Sequence, residues 1–86
     1  MDLLRAAITD NDRAIVAAVN ERLNLVARLW KLKRDLGVDR FDPGRERSLR
    51  AELAATNAGP LSAQELDHLI DELLAVTKRE LQGDGA

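Results

Sequence analysis

The chain contains no cysteine and no tyrosine, and only one tryptophan, one phenylalanine and one histidine. Without cysteine it can form neither a disulfide nor a thiolate metal site. The scarcity of aromatic rings leaves apolar burial to Leu, Val, Ile and Ala, which are mostly good helix formers. No run of about 18 apolar residues occurs, so no segment is suited to cross a membrane as a helix. There is also no basic excess: 13 Lys and Arg stand against 15 Asp and Glu, a net charge of −2. That balance argues against a general nucleic-acid binder. The N-terminus, MDLLRAAITDND, has acids where a signal peptide needs a basic region followed by a long apolar run. The expected compartment is the cytoplasm, with neither nucleic acid nor membrane as a partner.

With 86 residues the chain is read as one domain, spanning 1–82 with a frayed tail at 83–86. A chain this short buries only about 60% of the surface its unfolded form exposes. With no disulfide to supplement a thin core, oligomerisation is the expected source of further burial.

The hydrophobic period predicts an all-α chain of three helices. The first runs from about Leu3 to about Asp35 with no Gly or Pro inside it. At 1.5 Å per residue it would be nearly 50 Å long, whereas a compact chain of this size has a radius of gyration of about 12 Å. Such a helix either projects into solvent or is covered by a second chain. Gly37 stops it. After a short loop, Asp42 and Pro43 supply an N-cap and a first-turn proline for a second helix reaching Ala55. Thr56-Asn57-Ala58-Gly59-Pro60 forms a turn. Ser62 caps the third helix, with Glu65 completing a capping box. That helix reaches about Leu81, and from Gln82 onward the chain should fray.

One stripe of the first helix collects Leu4, Ile8, Ile15, Val19, Leu23, Val26, Leu29 and Trp30. Arg22 and Lys33 lie on this stripe, not on the polar face, and Arg5 lies at its margin. A buried unpaired cation is costly, so these side chains either extend their heads to water, pair across an interface, or meet an anion. Arg22 and Lys33 are about 16 Å apart along the helix and could clasp one small ligand; Arg5 lies about 42 Å from Lys33 and could not join them within one straight rod. If Arg5 belongs to the same site, it comes from a second chain packed antiparallel. Asn11 and Asp12 interrupt the seam and read as register-setting residues. Asp42, Arg45 and Glu46 crowd the first turn of the second helix, where free N–H groups point outward. On their own, capping and a surface ion pair account for those three. Thr77 lies on the apolar stripe of the third helix with Leu66, Leu69, Ile70 and Leu73, and Glu80 is on the same side. A threonine so placed is usually satisfied by its own helix. His68 falls on the solvent face. The sequence contains no metal-ligand cluster, no Gly-rich phosphate loop and no nucleophile–base pair, and no metal or cofactor is expected.

In order and spacing these segments resemble the small all-helical chorismate mutases. The opening Leu4-Arg5-x-x-Ile8-x-x-x-Asp12 is similar to the start of that family, followed by Glu21-Arg22 and Lys31-x-Lys33. The stretch Gly37-Val38-Asp39-Arg40-Phe41-Asp42-Pro43-Gly44-Arg45-Glu46-Arg47 looks like the form found in mutase domains attached to the synthase that opens the shikimate pathway, and Asn57-x-Gly59-Pro60 fits the same subgroup. The resemblance implies an intertwined six-helix homodimer that rearranges chorismate to prephenate, with a shikimate-pathway synthase as a partner protein. By the same resemblance, Arg22 and the partner's Arg5 would hold the two carboxylates, and Lys33 the ether oxygen and a carboxylate. The backbone N–H of Asp42 and the side chain of Glu46 would bind the ring hydroxyl, with Arg45 ordering that corner. Thr77 stands where the family has Ser or another small residue. Leu81 stands where the family usually places Gln or Glu toward the ether oxygen, and Glu80 and Gln82 flank it as substitutes. Trp30 occupies a position that is commonly small.

Three other readings remain open on the residues alone. One is an enzyme of the same scaffold acting on isochorismate or aminodeoxychorismate. Another is a domain that binds chorismate or prephenate and regulates a synthase. The third is a helical dimerisation protein without a ligand.

Overall fold

A computed structural model describes residues 1–82 and contains three α-helices and no strand among them: α1 (Asp2–Asp35), α2 (Pro43–Thr56) and α3 (Ala63–Gln82). Gln82, expected to begin the frayed end, is the last residue of α3; the expected tail, 83–86, lies outside the described residues. No helix is long and apolar enough to cross a membrane.

Each boundary has a local cause. At the end of α1, Gly37 takes φ +69, the left-handed region that glycine enters without a Cβ clash. This lets the Val38 N–H donate to the Lys33 carbonyl at 2.8 Å and the Gly37 N–H to the Arg34 carbonyl at 3.1 Å. The pair of bonds is a Schellman cap, and it fixes the backbone of Lys33. At the start of α2, Asp42 Oδ1 accepts from the Arg45 N–H at 3.0 Å, with Pro43 in the first turn. Ser62 Oγ accepts from the Glu65 N–H at 3.1 Å at the start of α3. The reciprocal half of the expected capping box is not formed: the Glu65 carboxylate instead lies 3.6 Å from His68 Nδ1. Asn57 ties the α2–α3 turn, donating to the Leu61 carbonyl and accepting from the Gly59 N–H.

α3 packs against both α1 and α2. The core this makes is thin. Ile70, at 1% exposure, is the one buried apolar residue among those described, and Thr77, at 5%, is the one buried polar residue. The molecule measures 53 × 26 × 19 Å with a radius of gyration of 15.7 Å. That exceeds the roughly 12 Å of a compact chain of this length, and the N-terminal half of α1 is exposed at every residue up to 18. Its apolar residues are uncovered, Leu4 at 71% and Ile8 at 60% exposure.

Candidate active site

Where α1, the α1–α2 loop, α2 and α3 converge, they line a half-open cavity of about 340 Å³. That is at the lower end of the range for small-molecule sites. α1 contributes Arg22 and Lys33, separated along the wall by Val26 and Leu29; both cations are half-buried. Asp42, Arg45 and Glu46 enter from the first turn of α2, and Leu74 and Thr77 from α3. The cations on the apolar stripe thus meet the polar corner at the start of α2 across one apolar-walled hollow.

Arg22 and Thr77 form the deepest contact. Arg22 Nη1 donates to Thr77 Oγ1 at 2.6 Å, and Thr77 Oγ1 donates to the Leu73 carbonyl at 2.7 Å. The threonine is satisfied by its own helix, as expected, and its remaining acceptor capacity anchors the arginine. No buried side-chain polar atom among the described residues lacks a partner. Arg22 is therefore anchored on one side and retains further donors for a ligand.

Glu46 is held from behind. Arg50, one turn on, contacts Glu46 Oε1 at 3.3 Å, Asp71 Oδ1 at 2.5 Å and Asp67 Oδ1 at 3.6 Å. These contacts tie α2 to α3, and the Arg50 guanidinium is pushed above its usual range, chiefly by its hydrogen bond to Asp71. The guanidinium also opposes one of the two acids of the cavity lining from outside it.

Not every residue singled out from the sequence is brought here. Arg5 is exposed near the far end of α1 and does not line the cavity. Glu80 is exposed and Leu81 half-buried, and neither lines it. Among the lining residues that the sequence reading did not place in the site are Trp30, Phe41 and two cations, Arg40 and Lys78. The Arg40 guanidinium stacks 5.0 Å from the Trp30 ring and 5.6 Å from that of Phe41. This is cation–π range, and it gives Trp30 a role in ordering the loop. A smaller hollow of about 250 Å³ shares Trp30 and Arg40 with the cavity. No group of three or more His, Asp or Glu among the described residues could hold a metal.

The arrangement offers cations and hydrogen-bond donors in an apolar frame. It can hold and polarise a small anion, and no lining residue is set against another as a nucleophile with its base.

Comparison with known proteins is consistent with this chemistry. No curated protein matches the chain. Among solved structures it is similar to chorismate mutase from Thermus thermophilus in two forms. Form I matches with 30% identity and a TM-score of 0.84, covering 88% of this chain and 95% of that one. Form II matches with 30% identity and a TM-score of 0.83, covering 88% and 86%. The profile of the family described as chorismate mutase type II matches residues 4–82, and the chain belongs to that family.

Proposed function

We propose that the cavity converts chorismate to prephenate by restricting the substrate and stabilising the charge that develops as it rearranges. The observation that carries this reading is the placement of Arg22 and Lys33 in an apolar wall facing the polar corner of Asp42, Arg45 and Glu46. The reaction is a Claisen rearrangement: the ether C–O bond breaks as a C–C bond forms within one molecule. It needs no acid, base, nucleophile or cofactor. What accelerates it is confinement of the substrate to a compact near-attack conformer and a cation where the ether oxygen gains negative charge.

In this reading Arg22 takes one carboxylate, and Lys33 reaches the ether oxygen and a carboxylate. Glu46, its carboxylate turned by Arg50, accepts from the ring hydroxyl. The Asp42 backbone N–H donates to that hydroxyl, and it has no acceptor among the described residues. Arg45 orders the corner. Thr77 acts through Arg22, and Leu81 adds apolar packing where a donor is usual, with Glu80 beyond the cavity.

The functional unit we propose is an intertwined homodimer of six helices in which the partner copy supplies its own Arg5 to this cavity. Uncovered Leu4 and Ile8 and the length of α1 support this. The cytoplasm is the assigned compartment, since a dianionic metabolite does not cross a bilayer unaided. A shikimate-pathway synthase is the partner that the Gly37–Arg47 resemblance favours. Turnover is tested by adding chorismate to the purified protein and following the decay of its ultraviolet absorbance. If chorismate is stable but prephenate binds in calorimetry, the site is a binding module and not an enzyme.

A further inference from the structure

α3 turns three residues to the cavity: Leu74, Thr77 and Lys78. Leu74 has no polar group. The Thr77 hydroxyl is already engaged, giving its proton to Leu73 and receiving Arg22. The polar group that α3 has left to offer a ligand is the ammonium of Lys78. Its Nζ lies 5.9 Å from the Phe41 ring. Phe41 is itself exposed on the loop, so this lysine head stands at the mouth of the cavity and not at its floor.

Several other cations of the chain are paired. Arg13 meets Asp10, Lys31 meets Asp35, Arg79 meets Glu72, and Arg50 meets Glu46, Asp67 and Asp71. Lys78 joins no such pair among the described residues, although Glu46 lines the same cavity. The nearer claim on Glu46 is that of Arg50 at 3.3 Å. Around the cavity five cations, Arg22, Lys33, Arg40, Arg45 and Lys78, face the carboxylates of Asp42 and Glu46. Arg40 is stacked on rings, and Arg22 is half satisfied by Thr77. Lys33, Arg45 and Lys78 join no ion pair among the described residues, and of these Lys78 is the one that α3 supplies and that stands by Phe41 at the mouth, a flexible side chain with three donors to give.

From this juxtaposition we infer that Lys78 is a substrate-binding residue, holding one carboxylate of the dianionic substrate at the cavity mouth from α3. The inference rests on the mutase reading. The carboxylates of chorismate keep their charge throughout the rearrangement. A contact to one of them stabilises ground state and transition state alike, and its loss appears in KM and not in kcat.

The test compares Lys78→Met, Lys78→Arg and the control Lys31→Met, which removes the same charge from an exposed ion pair away from the cavity. Circular dichroism and sedimentation first establish that all three resemble the parent. Lys78→Met should raise the KM for chorismate on the order of tenfold with kcat within about threefold, the effect of losing one charge-assisted hydrogen bond. Lys78→Arg should restore most of that loss, and Lys31→Met should show none of it. Added salt should raise the KM of the parent more than that of Lys78→Met. A KM for Lys78→Met within twofold of the parent overturns the inference, as does a fall in kcat at unchanged KM. If the parent protein does not turn chorismate over, the mutase reading fails. Calorimetric titration of parent and Lys78→Met with chorismate then decides the binding role alone: equal affinities refute it, and a weaker Lys78→Met supports it.

Discussion

Arg22 and Lys33 are two cations on one helix stripe with different surroundings, and their replacement should separate activity from stability. Removing a preorganised donor to developing negative charge typically costs about 10²–10³ in rate, and losing a cation that positions the substrate can cost about 10² through misplacement of the reacting atoms. Arg22→Ala and Lys33→Ala should each lose at least that much kcat/KM while keeping the parent's helical circular dichroism; retention within a few-fold in both would sink the site assignment. Their stabilities should diverge. Lys33 has no anionic partner among the described residues, so Lys33→Ala relieves a desolvation cost and should hold or raise the urea midpoint. Arg22 is bonded to a buried hydroxyl. Arg22→Ala should lower stability by about 1.5 kcal/mol, the low end for a hydrogen bond to a charged group. Thr77→Val tests the same contact from the other side. It preserves the side chain's shape but removes the acceptor of Arg22, so activity and stability should both fall, whereas Thr77→Ser should retain activity within a few-fold. An active, fully stable Thr77→Val would show that the contact positions nothing.

At the scale of the helix, Gly37 links chain geometry to chemistry. Its φ of +69 closes the cap that fixes the Lys33 carbonyl, and a Cβ there would meet nothing within 4 Å. The penalty of a side chain is therefore one of backbone conformation and not of packing. Gly37→Ala should destabilise by about 1–2 kcal/mol, the usual cost of a left-handed L-residue, and Gly37→Asn by less. Urea titration at one fixed protein concentration measures both; equal losses would place the cause elsewhere.

The same scale explains what could be read from the sequence. The caps at Gly37, Asp42 and Ser62 are local signals, and they set the three helices to within a residue or two of the observed ends. Arg22 and Lys33 stood out because a cation on an apolar stripe is anomalous on a single helical wheel. Lys78 did not, because it opens the charged run Lys78-Arg79-Glu80, and nothing within one helix says which of those side chains faces a cavity. That depends on the side from which α2 and its preceding loop approach α3, which is a tertiary fact. Glu80, expected beside Leu81 as a substitute for the family's Gln or Glu, is exposed and does not line the cavity. Trp30 and Arg40 were missed for a similar reason, since their contact joins a helix to a loop whose path the helical period does not specify.

For the whole molecule, one chain alone leaves its longest helix half bare. With Ile70 and Thr77 as the buried residues among those described, a monomer has too little core to account for an ordered 34-residue α1. Sedimentation at micromolar concentration should return a dimer. Arg5 then supplies a sharper test, because it lies about 42 Å from Lys33 along one helix and can share a site with it only across the subunit boundary. Arg5→Ala and Lys33→Ala chains, each inactive alone, are mixed and allowed to exchange, with mixed dimers confirmed by mass spectrometry. If Arg5 acts in trans, one site of each mixed dimer collects both defects and the other collects neither. Each mixed dimer should then recover up to about half the activity of a parent dimer, as follows from counting sites in a two-fold assembly. If Arg5 acts within its own chain, every site carries one defect and nothing returns. Exchange without recovery would refute the intertwined site while leaving the family membership of the chain untouched.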